Sequence, residues 1–452
     1  MRKILIVGAG QAGLQLALSL LTHGYEVAVV SATTPEQIRA GRPQGIPALF
    51  APALATERGY RLNLFGTATP PLYGARVTVA GPSGWPVLAF NAELERPGRC
   101  TDLRVKTAAW LELAEQRGAT VIYQQVTAQD LDVITADGGF DLAIVAAGCG
   151  DLTNVFGTDP VRTVHDRPQR VVAGAYVQGL RPDPHWADTH LEFHTVPGIG
   201  ELLVVPAVSL SGPCHALAFE ALPGGPADQW PGAAIDPEKI LDLIVDLVHT
   251  FTPWVAERVR QVRLGDPNGA VYGRVHPRVR HPVAHLPSGG IAMGLGDALI
   301  VNDPVGGQGA NLAAKAAAFT VGAILAHGMQ PFGEAWMNAT FEAFWSSHGA
   351  AATTLTNTLL SPPAPHMMEL FAVSAGNPQV AARFAAGLAD PADMTWFTHP
   401  DAAASYLATV TKDHQPDKLA GPRGGDRVWP LNARRRPRPG LRQLPTSRRS
   451  RP

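Results

Sequence analysis

The chain has 452 residues, of which 46% are hydrophobic and 17% charged, and its formal net charge is −1. That length and composition suit two or three globular domains and exclude a disordered chain. The near-neutral balance leaves no overall field to draw the molecule to nucleic acid or a membrane surface. In chain order, Lys3–Val7 (KILIV) is a predicted strand, Leu14–Thr22 a helix and Tyr25–Ser31 a second strand. Between the first two lies Gly8-Ala9-Gly10-Gln11-Ala12-Gly13, so a βαβ unit opens on G-x-G-x-x-G. Gly8 permits the tight strand-to-helix turn, Gly10 lets the backbone approach a pyrophosphate, and Gly13 lets helix and strand pack closely. The free N–H groups and the dipole at the start of the helix then hold the anion. The motif predicts dinucleotide binding. No carboxylate ends the second strand, and the next one is Glu36, so Ser31 is the candidate ribose contact.

Residues 33–100 are rich in Pro and Gly, with strands predicted at Ala75–Ala80 and Val87–Asn91. A helix over Lys106–Arg117, a strand over Thr120–Gln125 and a buried strand over Phe140–Ala147 follow, the last running into Gly148-Cys149-Gly150. A β-rich middle has strands at Arg170–Gln178, His190–His194, Glu201–Pro206 and His215–Glu220. Next come a helix over Pro237–Arg263, broken at Pro253, and a strand over Ile291–Leu295. An Ala-rich helix over Asn311–His327 and a long helical region over Glu334–Leu360 complete the pattern. Strands and helices alternate at both ends around a β-rich insert, which predicts an α/β (α+β) fold with one domain interrupting another. The expected boundaries are 1–165 with 265–330 for the Rossmann-like domain and 166–264 for the β-sheet substrate domain with its helix. Part of 40–100 serves the substrate side, 331–410 is a helical C-terminal region, and 411–452 is a disordered basic tail rich in Arg and Pro. Residues 412–452 hold 12 Lys and Arg against 3 Asp and Glu.

A second motif reads GLGDALIVNDPVGGQGAN over Gly294–Asn311. Asp297 follows a strand, placed to accept hydrogen bonds from a sugar-alcohol hydroxyl. The stretch Gly306–Asn311 opens a helix whose first N–H groups would stabilise negative charge at one spot, such as the N1–C2=O edge of a reduced flavin.

With RPQR at Arg167–Arg170 and GELLVVP at Gly200–Pro206, these motifs make residues 1 to about 410 resemble the oxygenase component of styrene monooxygenase, within the flavoprotein aromatic-hydroxylase superfold. The resemblance implies a Rossmann-like FAD-binding domain interrupted by a β-sheet substrate domain. It implies a two-component system in which an NADH-dependent flavin reductase supplies FADH2. The oxygenase then reacts it with O2 to a C4a-hydroperoxyflavin, which epoxidises a styrene- or indole-like aromatic alkene or sulfoxidises a thioether. It places Gly8, Gly10, Gln11, Ala12 and Gly13 at the pyrophosphate, Arg42 near the FAD, and Asp297 on the ribityl chain. Pro304, Val305, Gly306, Gly307, Gln308 and Asn311 would line the isoalloxazine ring, with Gly309 and Ala310 completing the cofactor contacts. A homodimer is implied by the resemblance alone.

Single-component aromatic hydroxylases carry a mid-chain Asp-Gly serving FAD and NAD(P)H. The corresponding stretch here is Ala146-Ala147-Gly148-Cys149-Gly150-Asp151, and no second G-x-G-x-x-G follows. The W-x-W-x-I-P element of flavin halogenases is missing as well. Such chemistry needs no acid–base pair, only a dry apolar pocket. That pocket is expected to draw on 43–50, 72–91 and the sheet around 191–219. Pro43–Phe50 departs from the segment of typical styrene epoxidases and indole oxygenases, so the substrate stays open among a small apolar aromatic alkene, an indole and a sulfide. Two other readings stand beside this one. One is a single-component NAD(P)H-dependent hydroxylase, and the other a non-catalytic flavin-binding protein.

The remaining features read as structural. No metal site is expected: His276, His281 and His285 lie among prolines with no Cys or acid to complete a ligand set. Cys100, Cys149 and Cys214 form no CxxC, which points to a reducing, cytoplasmic setting. No run of about 18 apolar residues predicts a membrane span, and the N-terminal glycines argue against a signal peptide. His194 is read as a strand histidine that pocket lining would make functional. Trp336, Phe341, Phe344 and Trp345 are read as core or interface. Met367-Met368 is read as packing, with a lid or dimer face as the alternative, and the Arg434–Arg436 and Arg448–Arg449 clusters as a solvated tail without nucleic acid.

Overall fold

The structure, a computed structural model, describes residues 2–148, 150–184, 186, 189–230 and 236–412, with side chains to Val410. The expected basic tail with its arginine clusters, and Cys149, lie outside the described residues. The predicted βαβ unit is present as β1 (Lys3–Val7), α1 (Gln11–Thr22) and β2 (Glu26–Ser31). There follow α2 (Pro35–Ala40), β3 (Ala48–Leu49), α3 (Ala51–Gly59), β4 (Pro71–Ala80), β5 (Pro86–Cys100), α4 (Leu103–Gln116), β6 (Thr120–Tyr123), α5 (Ala128–Ala136) and β7 (Leu142–Val145). The middle holds β8 (Arg170–Gln178), β9 (His190–Val196), β10 (Gly200–Ser209), β11 (Gly212–Ala221), α6 (Pro237–Phe251), α7 (Ala256–Val259), β12 (Arg263–Leu264) and β13 (Ala270–Val275). Then come β14 (Arg278–Val279), β15 (Val283–His285), β16 (Ile291–Gly294), β17 (Ile300–Val301), α8 (Gly309–His327) and α9 (Glu334–Phe344). The chain ends in α10 (Ala350–Leu360), α11 (Pro365–Ser374), α12 (Pro378–Ala389), α13 (Thr395–Thr398) and α14 (Pro400–Lys412). The described residues up to Val410 fold as a single unit.

The first sheet has the order β15-β16-β7-β1-β2-β6, parallel except for the β15–β16 pair. Its central strands are buried over nearly their whole length, as in Ile4 to Val7 and Leu142 to Val145. A parallel strand covered on both faces needs such an unbroken apolar run. α8 is the one helix among the described residues long and apolar enough to cross a membrane. Here it is a core helix, packing on α1 and α3 through small residues such as Ala313, Ala314 and Ala317. The carboxyl ends of β1, β7 and β16 meet. Ala146 N–H donates to Val7 O, and Leu295 N–H donates to Val145 O. In open α/β sheets this is the edge where ligands bind.

The second sheet has the order β12-β8-β11-β10-β9-β4-β5-β3, with β13 also pairing β8. It is antiparallel except for β4 beside β9. Strand alternation divides its faces. Leu202, Val204, Leu217 and Phe219 pack on Ile240, Ile244 and Leu247 of α6. On β4 and β5, Val77, Val79 and Phe90 pack instead with Leu370 and Phe371 of α11 and Phe384 of α12.

Some predicted elements change length. The strand expected over Phe140–Ala147 is only Leu142–Val145, because the chain leaves the sheet where Gly8 crowds Ala146. The helix expected over Pro237–Arg263 stops at Phe251 and resumes at Ala256 around Pro253. The long helix over Glu334–Leu360 carries a π turn at Trp345–Gly349. The histidines expected to be structural stand apart in their contacts: His276 bonds His165 O at 3.1 Å and His285 pairs with Glu334 at 3.3 Å. Phe341 and Phe344 are buried in the first core, with Trp336 and Trp345 packed on it.

Candidate functional site

The three N-terminal glycines meet different surroundings. A Cβ on Gly8 would lie 2.6 Å from Ala146 C, and its φ of +122° already disfavours a side chain. A Cβ on Gly13 would lie 2.1 Å from Gly8 O. A Cβ on Gly10 would meet nothing within 4 Å. Two glycines therefore close the strand–helix junction, and the middle one opens onto empty space. The first turn of α1 has no side-chain cap and no acid, so its N–H groups and dipole face that space unopposed. α8 begins the same way, with no cap from Gln308 and open space before Gly307 and Gly309. By contrast α2 and α5 are closed by capping boxes from Thr34 and Thr127. Gln11 is turned away from the opening. Its amide donates to Gln15 Oε1 at 3.0 Å and to Glu57 Oε1 at 3.1 Å, and Glu57 pairs with Lys106 at 2.7 Å.

Asp297 stands on the turn after β16, beside Gly148: a Cβ on that glycine would come within 2.7 Å of the Asp297 Cβ. Its side chain is open to solvent at the surface of the cleft but walled by protein, and burial in that wall pushes the carboxyl up to about 6, against the pull of Arg280. Ser31, the candidate ribose contact, is 2% exposed. Its hydroxyl donates to Thr33 O at 2.6 Å, so it closes its own turn instead of facing the cleft. Arg42 is exposed on the connection between α2 and β3.

The second motif forms a turn, Pro304–Gly306, capped by Asp303 through Val305 N–H, followed by Gly307 in the left-handed region at φ +63°. Val305, Gly306 and Gly307 line a cavity of about 600 Å³. Gln308 and Asn311 do not face it. Gln308 donates to Gly306 O and Leu388 O, both at 2.9 Å. Asn311 donates to Ala48 O and Gly307 O, both at 2.8 Å, and accepts from Phe50 N at 2.9 Å. These two side chains pin the loop to β3 and α12, holding the backbone that lines the cavity.

The cavity walls come from the stretches expected to build a pocket: Ala48 and Phe50, then Ala75, Val77, Val79 and Val87, then Leu191, Phe193 and Leu203. Missing from the expected walls is the helical side, with Leu359 and Leu360 of α10 and Met367, Met368, Phe371 and Phe384 of α11 and α12. The Met367-Met368 pair was noted, but nothing local shows which sheet it would cover. The polar part of the wall is Arg170 with Glu201, a fork with bonds of 2.8 and 3.0 Å. His194 lies on the opposite face of β9, accepting from Trp254 Nε1 at 3.2 Å and 3.1 Å from Glu192. It is a satisfied strand histidine.

The donor set fits a flavin dinucleotide: two open helix N-termini, a glycine that keeps one of them clear, an acid beside them and an apolar chamber beyond. Comparison with known proteins agrees. Residues 148–258 match a family model described as "Styrene monooxygenase A putative substrate binding domain". The styrene monooxygenase StyA of a Pseudomonas species is 31% identical over 331 residues, 72% of this chain and 78% of that protein. The StyA of Pseudomonas fluorescens is 30% identical over the same shares. Among solved structures, the flavin-dependent brominase Bmp2 aligns with a TM-score of 0.64 at 15% identity, over 91% of this chain and 99% of that one. A flavoprotein/dehydrogenase from Cytophaga hutchinsonii aligns at 0.65 with 12% identity over the same shares. These last two show the fold.

Proposed function

The chain belongs to the styrene monooxygenase family and is a flavin-dependent monooxygenase, and we propose that it is the oxygenase of a two-component pair, receiving reduced FAD from a separate NADH-dependent reductase. The observation that carries this reading is the cavity of about 600 Å³, floored by the Val305–Gly307 backbone and walled almost wholly by apolar side chains. Gly8, Gly10 and the α1 N-terminus hold the pyrophosphate in this reading, Asp297 the ribityl hydroxyls, and Val305 to Gly307 the ring. A reduced flavin held there by these residues would supply an electrophilic oxygen derived from O2. The chain's own part is to bind, orient and exclude water. Phe193, Leu203, Val77 and Phe371 keep the space dry, which suppresses loss of that oxygen as H2O2. With no acid–base pair on the apolar wall, the chamber suits a substrate that needs no proton removed, an aromatic alkene to be epoxidised or a thioether to be sulfoxidised. Val79 and Val87 join Phe193 in confining the flat apolar body of such a molecule.

The test is anaerobic mixing. Protein loaded with chemically reduced FAD meets oxygenated buffer with no reductase present. A long-lived flavin spectrum, unlike both the reduced and oxidised forms, that decays faster on adding styrene, indole or a thioether is expected. Immediate oxidised FAD with stoichiometric H2O2, whatever is added, would overturn the reading, as would direct NADH oxidation by the purified protein.

A further inference from the structure

Three carboxylates and one guanidinium meet beside the loop that floors the cavity, with Arg170 and Glu201 on the cavity wall. Glu201 and Glu220 are directly opposed in the β10–β11 register, so both side chains leave the same face of the sheet. Arg170, opening β8, spends its fork on Glu201. Asp303 caps the Pro304–Gly306 turn with one oxygen. The Oε2 atom of Glu220 and the Oδ2 atom of Asp303 are buried with no hydrogen-bond partner, on residues that are 2% and 0% exposed. One guanidinium cannot neutralise three carboxylates, and a bare buried anion is relieved by taking up a proton.

We propose that Glu220 and Asp303 form a proton-holding site, and that its neutral state is what lets the Pro304–Gly307 loop receive a negatively charged reduced flavin. The inference rests on the flavin reading above and adds a positioning role for two residues that touch neither substrate nor ring. Burial pushes Glu220 well above the usual carboxylate range, with the charges of Asp303 and Glu201 adding to it and Arg170 opposing. Burial pushes Asp303 up to about 7, opposed by the Val305 N–H and Arg170 and reinforced by Glu201. The charged groups acting on the pair are thus Arg170 from β8 and Glu201 from β10, with Asp303 also raising Glu220. A proton lost from Asp303 places a negative charge behind the α8 N-terminus. That cancels part of the positive field offered to an anionic ring and leaves a neutral oxidised ring less affected.

The experiment is anaerobic titration of the full chain with reduced FAD, and aerobic titration with oxidised FAD, from about pH 6 to pH 8.5, for wild type and Asp303→Asn. Asn keeps the oxygen that serves Val305 and removes the charge. Reduced flavin itself titrates in this range, but equally for both proteins, so wild type is read against the variant. Wild type is expected to lose preference for the reduced form as pH rises, by up to ~10-fold per unit above the Asp303 transition, while Asp303→Asn does not. Calorimetry in two buffers of different protonation heat should show extra proton uptake on binding reduced FAD in wild type only. In the FAD-free protein, an infrared band of a protonated carboxyl at neutral pH should shrink in Asp303→Asn and in Glu220→Gln, the second variant serving if the first does not fold. Parallel pH profiles, equal proton uptake or no such band would overturn the proposal. Failure of both flavin forms to bind at any pH would sink the flavin reading itself, and the proposal with it.

Discussion

Gly10 and Gly13 are three residues apart, yet their substitutions should fail in different ways. A Cβ at 13 overlaps Gly8 O at 2.1 Å and approaches the Ala146 Cβ at 3.1 Å, both in the tight junction of α1 with the sheet. Gly13→Ala should therefore cost about 1–3 kcal/mol by overpacking, read as a lower Tm of the FAD-free protein. Gly10→Val projects into open space and should leave that Tm nearly unchanged while abolishing FAD binding by titration. Normal binding by Gly10→Val would remove the pyrophosphate from this loop. The turn and close-packing tasks of Gly8 and Gly13 were legible because G-x-G-x-x-G between a strand and a helix marks that junction, although the chain they pack against, at Ala146, lies far away in sequence. Asn311 was not. The family resemblance implies a place for it on the flavin ring, but its amide is consumed by Gly307 O, four residues away, and by Ala48 O and Phe50 N, 263 and 261 residues away. Ser31 and Gln308 likewise spend their polar atoms on nearby or distant backbone, which no spacing rule reveals.

At the scale of elements, β9 shows how one strand serves two chambers. Leu191, Phe193 and Thr195 line the cavity, while Glu192 and His194 point the other way toward α6 and α7. Glu192 accepts from Arg258 at 2.7 and 2.8 Å and lies 3.1 Å from His194. Burial alone would push Glu192 up, but the His194 hydrogen bond and the Arg258 charge outweigh it and hold the carboxyl near 2. Its folded value is depressed below the usual ~4.3, so its contribution to stability is present above about pH 4 and lost as pH falls toward 2. Wild type should therefore lose Tm more steeply than Glu192→Gln between about pH 5 and pH 3. At neutral pH, Glu192→Ala should cost ~3–5 kcal/mol in urea unfolding, because Arg258 is left buried without this partner. Matching acid profiles for wild type and the Gln variant would show that the pair carries no pH-linked stability. Such strands were readable because β-branched runs and alternation carry the signal. That 331–410 is helical was readable as well, but not which face of α11 and α12 packs inward, since PHMMELFAVS and PQVAARFAAGLA mix small and apolar residues on several faces. Their partners are β4 and β5, about 300 residues earlier, so the pattern has no local counterpart.

Across the whole molecule, the cavity belongs to no single layer. Its floor is the loop that follows the first sheet, one wall is the second sheet, and the other wall is the helical C-terminal region. Phe371 joins the last two: it lines the cavity and packs its ring 5.8 Å from Phe90 of β5, 5.5 Å from Phe384 of α12 and 5.5 Å from Phe397 of α13. Removing it should be felt as stability and as chemistry together. Phe371→Ala deletes a buried aromatic side chain and should cost ~3–5 kcal/mol, in proportion to the space left unfilled. The same space lies against the chamber and admits water toward the floor. The fraction of reducing equivalents recovered as oxygenated product should therefore fall, and H2O2 rise, with FAD affinity little changed, because Gly10 and Asp297, the residues proposed for the pyrophosphate and ribityl chain, do not line this cavity. Phe371→Leu fills most of the gap and should recover much of both. If Phe371→Ala lost stability but kept its product-to-H2O2 ratio, the helical wall would be a scaffold alone, and the dryness of the chamber would have to come from the sheet and the loop.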